Sequence, residues 1–219
     1  MAHLVYPQLC DGCRKPLLEQ EQVLCLHCIQ ELPRTDYHHI PDNETAMRFA
    51  GRFPFLYATS MAYFTSDGLL QHLLHALKYE GRKDIGYFLG QQLGYDLLDA
   101  GITADVIVPV PLYKKKEAQR GYNQSSYIAE GIGYVLNIPV SARGMQRTRH
   151  TESQTQKTRE ERVQNVSDAF TCSEDMAGRH VLLCDDVLTT GATLEACALA
   201  LRRRQGTQVS LVTVGIAID

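Results

Sequence analysis

No stretch of this 219-residue chain holds the ~20 consecutive apolar residues that a membrane-spanning helix needs. Its first residues, MAHLVYPQLC, have neither the basic start nor the unbroken apolar run of an export signal, so a cytoplasmic protein is expected. An excess of charge of one sign is lacking too. With 22 basic against 25 acidic residues the formal charge is −3, so no global field selects nucleic acid or membrane as an obligate partner, and any basic surface must be local. No G-x-x-x-x-G-K-[ST] occurs, which removes the P-loop. Gly131 and Gly133 form only a G-x-G fragment within a helical stretch, without the third glycine or the leading strand of a dinucleotide fingerprint. Internal repeats and coiled-coil heptads are absent as well.

The hydrophobic share, 44%, is normal for a packed core, and 219 residues suffice for one large domain or one ordinary domain with a small appendage. Cysteine is distributed in two populations. Cys10, Cys13, Cys25 and Cys28 form two C-x-x-C pairs separated by 11 residues, whereas Cys172, Cys184 and Cys197 are scattered and fit packing. In a chain without an export signal, two such pairs read as metal ligands and not as disulfides. Four thiolates on two turns suit a tetrahedral Zn²⁺ with no open position, hence a structural ion. The expectation is a zinc-ribbon-like segment over residues 1–40, folded by its metal, ahead of a main domain over 41–219.

Past residue 40, FPFLYATSMAYF alternates enough to suggest strands. Leu69, Leu70, Leu73, Leu74 and Leu77 recur at helical spacing up to Gly81, and a second helix carries Ile85, Phe88, Leu89, Leu93 and Leu97 on one face. DVIVPVP (105–111) reads as a buried strand ended by prolines. A helix over Ser125–Leu136, a strand over 180–184, a helix over 193–204 and a strand over 209–218 complete the series. Buried strands alternating with amphipathic helices predict an α/β fold, a mostly parallel sheet flanked by helices, with ligands at the carboxyl ends of the strands.

The stretch VLLCDDVLTTGAT (181–193) breaks the pattern of a folded interior. A buried strand runs directly into two acids, Asp185 and Asp186, and then into Thr189, Thr190, Gly191, Ala192 and Thr193 where a helix begins. Backbone N–H groups and hydroxyls at a helix N-terminus suit a phosphate, and Gly191 lets the backbone come close. The acids cannot accept a phosphate; they accept hydroxyls or a cation's waters. A sugar phosphate with a diol, of the shape of ribose 5-phosphate, satisfies both halves. A plain turn-and-cap reading accounts for one Asp and one Thr, but not for adjacent acids and three threonines around one glycine.

This stretch resembles the signature by which type I phosphoribosyltransferases hold 5-phosphoribosyl 1-pyrophosphate (PRPP). Together with the paired C-x-x-C knuckles, LKYEGR (77–82), VPVPLYKKKEAQRGYNQS (108–125) and RTRHTESQTQKTREERVQNVSDAF (147–170), it resembles the ComF family over nearly the whole chain. The resemblance implies a type I phosphoribosyltransferase fold. It puts Asp185 and Asp186 on the ribose 2- and 3-hydroxyls, residues 189–193 around the 5-phosphate, and Val110, Pro111 and Leu112 at the pyrophosphate, with Mg²⁺ accompanying PRPP. Lys78 and Arg120 are the candidate extra cations there. Residues 143–165 hold only Met145 and Val163 as apolar side chains; they are read as outside the core, where related transferases carry a closing loop. Arg147, Arg149, Lys157, Arg159 and Arg162 are read as clamping pyrophosphate, contacting a nucleic-acid backbone, or belonging to a solvated helix with Glu160 and Glu161. The leading reading is an enzyme transferring phosphoribosyl to an unidentified acceptor. The alternative is a non-catalytic PRPP sensor or a competence and DNA-uptake accessory that binds single-stranded DNA through Lys114, Lys115, Lys116 and Arg120 with Tyr113 and Tyr122.

Overall fold

The computed structural model describes residues 7–147 and 169–218. Arg149, Lys157, Arg159, Glu160, Glu161 and Arg162 lie outside the described residues. The elements run α1 (Leu26–Gln30), a 3₁₀ turn (Tyr37–His39), α2 (Glu44–Phe49), β1 (Ala58–Phe64), α3 (Leu69–Tyr79), α4 (Lys83–Asp99) and β2 (Val106–Pro109). They continue through α5 (Lys114–Arg120), α6 (Gln124–Leu136), β3 (Met145–Arg147), β4 (Phe170–Cys172), β5 (His180–Leu188), α7 (Ala192–Arg202) and β6 (Gln208–Ala217). Four strands form one parallel sheet in the order β1-β6-β5-β2, and β3 and β4 pair antiparallel.

Strand alternation sends neighbouring side chains to opposite faces. Leu182 and Cys184 join Ile107, Val212 and Val214 under α3, α4 and α6, whereas Val181 and Leu183 join Val106, Val108, Val209 and Leu211 under α2 and α7. Each face is thus dry, as a parallel sheet requires. Cys10, Val23, Leu24, Cys28 and Leu32 belong to the same apolar cluster as Leu70, Leu73, Leu74 and Leu77 of α3. No helix among the described residues is long and apolar enough to cross a membrane.

The outer strands are covered. Along β1, Tyr63 N–H donates to Pro33 O at 2.8 Å and Thr35 N–H to Met61 O at 3.0 Å, with Arg34 bridged to Ala62. Along β2, Ile107 N–H donates to Pro139 O and Ser141 N–H to Ile107 O, both at 2.9 Å, with Val140 bridged to Ile107.

Three differences from the sequence reading matter. Strand β5 does not stop at Cys184: Asp185, Val187 and Leu188 stay in register with Thr213, Gly215 and Ile216, because β6 continues beside them. Helix α5, KKKEAQR, has no buried residue and hence no apolar stripe to read. Met145, read as lying outside the core, is 3% exposed, since the β3–β4 pairing turns it into the cluster with Phe170.

Helices α4 and α6 touch backbone to backbone. A Cβ on Gly90 would lie 2.1 Å from the Ile128 carbonyl oxygen, and one on Gly131 would lie 2.1 Å from that of Tyr87. Gly90→Ala should therefore force the two helices apart and destabilise the protein by about 3 kcal/mol, read as the shift of the urea midpoint. An unchanged midpoint would show that the approach is not a constraint.

Candidate functional site

The site forms where β5, β2 and the N-termini of α6 and α7 meet at the carboxyl ends of the strands. Asp186 is buried, at 7% exposure, and engaged at both oxygens. Lys78, from the last turn of α3, places Nζ 2.6 Å from Asp186 Oδ2; Gln124 Nε2 donates to the same oxygen at 3.3 Å, and Val187 N–H to Oδ1 at 2.7 Å. Asp185 is partly open. Its Oδ1 accepts the Ser125 hydroxyl at 2.9 Å and the Asp186 N–H at 2.9 Å. Burial, and next the charge of Asp186, push the Asp185 carboxyl up to about 7, against the pull of the Asp186 N–H, the Ser125 hydroxyl and Lys78.

Beyond β5 the chain turns through exposed Thr189 and Thr190 to Gly191, whose φ of +79° is left-handed and precedes the first turn of α7. Asp185 and residues 187–194 line one small cavity of about 50 Å³. Helix α2 braces this turn from outside. Arg48 donates to Thr189 O at 2.6 Å and Arg52 to Thr190 O at 3.1 Å, while the ring of Phe49 lies so close that a Cβ on Gly191 would meet it at 2.8 Å.

Val110 receives two anchors: its N–H donates to Cys184 O at 2.8 Å, and its carbonyl accepts Asn123 Nδ2 at 2.9 Å. Pro111 and Leu112 border a second cavity of about 260 Å³ with Lys114, Asn123, Arg143 and Arg147. Arg120 donates to Gln124 Oε1 and lies 5.4 Å from the Tyr79 ring centroid. The structure thus brings together Asp185, Asp186, Lys78 and, through Gln124, Arg120, with Thr189–Thr193 sharing the cavity of Asp185. Lys114 to Lys116 stand exposed on α5.

Sequence reasoning missed Gln124 and Ser125, the two side chains on α6 that hold the acids. A signal was available, because polar Asn123-Gln124-Ser125 opens a helix whose next buried residues are apolar. Arg48 and Arg52 had none: α2, which carries Arg48, has six residues, too few for a periodic pattern, and Arg52 lies in the turn beyond it.

The four N-terminal thiols converge. The Sγ atoms of Cys10, Cys13, Cys25 and Cys28 all lie within 4.8 Å of one another, with Cys13 and Cys25 at 3.7 Å. Tetrahedral ligation at ~2.3 Å per sulfur requires S···S separations of about 3.8 Å. The donor set and its spacing therefore fit one metal ion. Burial, and then the neighbouring thiols, push the Cys28 thiol up to about 12, so a full set of thiolates needs a cation among them. Asp11, between Cys10 and Cys13, accepts Arg82 at 2.9 and 2.7 Å, which ties the cluster to the residues just past α3.

A phosphoribosyl transferase domain model matches residues 123–215. Competence protein F of Haemophilus influenzae is 32% identical over 214 residues, covering 92% of this chain and 87% of that protein. DNA utilization protein YhgH of Escherichia coli K12 is 29% identical over 227 residues, covering 95% of this chain and 96% of that protein. Among solved structures, glutamine PRPP amidotransferase of B. subtilis, complexed with ADP and GMP, matches at a TM-score of 0.46 and 21% identity; the match covers 64% of this chain and 30% of that one.

The raised Asp185 carboxyl sets a pH dependence. Folded, it binds its proton more tightly than the unfolded chain does, so its contribution to stability is present at low pH and lost as pH rises towards about 7. Asp185→Asn should be more stable than the native chain at about pH 8, with the gap closing towards about pH 4, in paired urea titrations. Equal stability at the higher pH would show that the carboxyl is not strained.

Proposed function

Because this chain belongs to the competence protein F (ComF) family and carries a phosphoribosyl transferase domain, we propose that it binds PRPP and transfers its phosphoribosyl group to an acceptor. One observation carries the reading: Asp185 and a hydroxyl-lined helix N-terminus line one cavity at the carboxyl ends of a parallel sheet, with Asp186 paired to Lys78 beside it. Asp185 and Asp186 accept the ribose 2- and 3-hydroxyls. Thr189, Thr190, Gly191, Ala192 and Thr193 surround the 5-phosphate with N–H and O–H donors, favoured by the positive end of α7. Arg48 and Arg52 occupy the Thr189 and Thr190 carbonyls from outside, which supports a turn held in place for the phosphate.

The pyrophosphate is assigned to Val110, Pro111 and Leu112, with Arg120 and Lys78 as cations. Lys78 pairs with Asp186, and its charge would be shared with an incoming anion. Mg²⁺ bound with PRPP supplies further charge neutralisation on phosphate oxygens. Loss of pyrophosphate from the anomeric carbon develops positive charge on the sugar, and the neighbouring carboxylates stabilise it electrostatically. Residues 1–40 are assigned to a structural Zn²⁺ held by the four cysteines, docked on a transferase-like unit over 41–219.

Asp185→Asn and Asp186→Asn should each weaken PRPP binding in the presence of Mg²⁺ by about 2 kcal/mol, about thirtyfold in Kd, by calorimetry. Pyrophosphate release with a new ribosylated product from a metabolite pool, lost in both variants, establishes transfer. Binding without product in any pool points to a sensor instead. Absence of PRPP binding by the native protein would end the proposal.

A second reading has its own observation. Lys114, Lys115 and Lys116 project from α5, a helix with no buried residue, next to Arg120. Such a surface fits the phosphate backbone of single-stranded DNA. If it acts so, affinity for an oligonucleotide should fall steeply with salt, and replacing the three lysines by Gln should flatten the slope by about 2 units. A slope unchanged by the substitutions would discard this reading.

A further inference from the structure

A second group of metal-ligating side chains lies away from both the cysteine cluster and the carboxylate pocket. His38 and His39 stand side by side in the 3₁₀ turn, and Asp99 is the last residue of α4. His39 Nε2 is 3.0 Å and His38 Nε2 3.9 Å from the same oxygen, Asp99 Oδ2, and one ligand atom from each residue lies within 4.8 Å of the others. The rings are inclined at 48° with centroids 4.1 Å apart. His38 is held in place: its side chain is 10% exposed and its carbonyl accepts the Tyr57 hydroxyl at 3.1 Å. His39 and Asp99, at 55% and 69%, are open to solvent and free to adjust.

We propose that His38, His39 and Asp99 form a binding site for one divalent transition-metal ion, independent of the four cysteines. Ligation at ~2.0–2.1 Å requires ligand atoms roughly 2.9–3.4 Å apart, so the distances of 3.0 and 3.9 Å to Asp99, and a His38–His39 separation within 4.8 Å, ask for adjustment of the exposed His39 ring and Asp99 carboxylate around His38. Two imidazoles and one carboxylate suit Zn²⁺, Co²⁺, Ni²⁺ or Fe²⁺ and not the all-oxygen shells of Mg²⁺ or Ca²⁺. Local charge favours a cation. The carboxyl end of α4, a 17-residue helix, is the negative end of its dipole. The adjacent cation Arg34 is already engaged by Asp96 at 2.6 and 2.7 Å. Three protein ligands leave a coordination position for water.

Its place in the fold separates it from the sugar chemistry. Tyr57 immediately precedes β1 and Asp99 ends the helix that leads into β2, so the site sits at the amino ends of the strands, opposite Asp185 and Asp186. An ion there would tie the turn that follows the cysteine segment to the end of α4.

The test is a Co²⁺ titration of the full-length, metal-stripped protein, following the Co²⁺–thiolate absorption and total bound metal together. The expected result is one equivalent that produces thiolate absorption and a second that does not. His39→Ala and Asp99→Asn should each weaken the second by about 100-fold, as loss of a ligand or its support does, and leave the thiolate band unchanged. Saturation of the native protein at one equivalent would overturn the proposal. So would a second equivalent that persists in both variants, or loss of the thiolate-bound ion in either.

Discussion

Two adjacent carboxylates can stand in a paired, largely buried strand only if their charge is answered, and the ion pair between Lys78 and Asp186 is the central answer here. A lone buried carboxylate would take up a proton or disrupt the strand. Lys78 arrives from α3, and the Gln124 and Ser125 partners arrive from α6. The pocket is therefore a property of the helical layer as much as of β5. Helix α6 can deliver its residues at that depth because it lies directly on the backbone of α4. The carboxyl end of α3 is steadied in turn by Arg82 on Asp11, and by the Tyr122 hydroxyl, which donates to the Leu77 carbonyl.

The opposite helical layer handles the other half of the pocket. Phe49 fills the space that a side chain at position 191 would need, and Arg48 of α2 and Arg52 just beyond it engage the carbonyls of the threonine turn. These contacts brace an exposed, hydroxyl-rich bend from behind, and a bend braced in this way would spend less ordering entropy on a ligand it took up. Asp185 shows the opposite economy: its carboxyl is disfavoured as an anion where it sits. A functional site that stores strain in one residue while its neighbours are well satisfied is a common arrangement in folded enzymes and binding proteins.

Much of this was legible in the chain. The leucines of α3, the buried run of β2, the helix α6 and the closing strand β6 follow directly from apolar spacing. The cysteine pairs point to a metal cluster from side-chain type, and their four sulfurs converge; the Asp-Asp to Thr-Gly stretch marks the residues that gather at the end of β5. The rest escaped for physical reasons. Helix α5 buries nothing, α2 is too short to repeat, and the β3–β4 pairing joins segments far apart in sequence, so none of them leaves a local period. Continuation of β5 through the acids was hidden because its support is the neighbouring strand β6, a non-local partner.

The flanking pairings of β1 and β2 carry one more implication. An open sheet with a bare outer strand is a template on which a second molecule can add its own backbone, the usual beginning of ordered aggregates. In this fold the residues on either side of Arg34 occupy that position on one flank and those around Val140 on the other. The connectors thus serve as partial selvedges on those two flanks, leaving less bare backbone for a second molecule to extend.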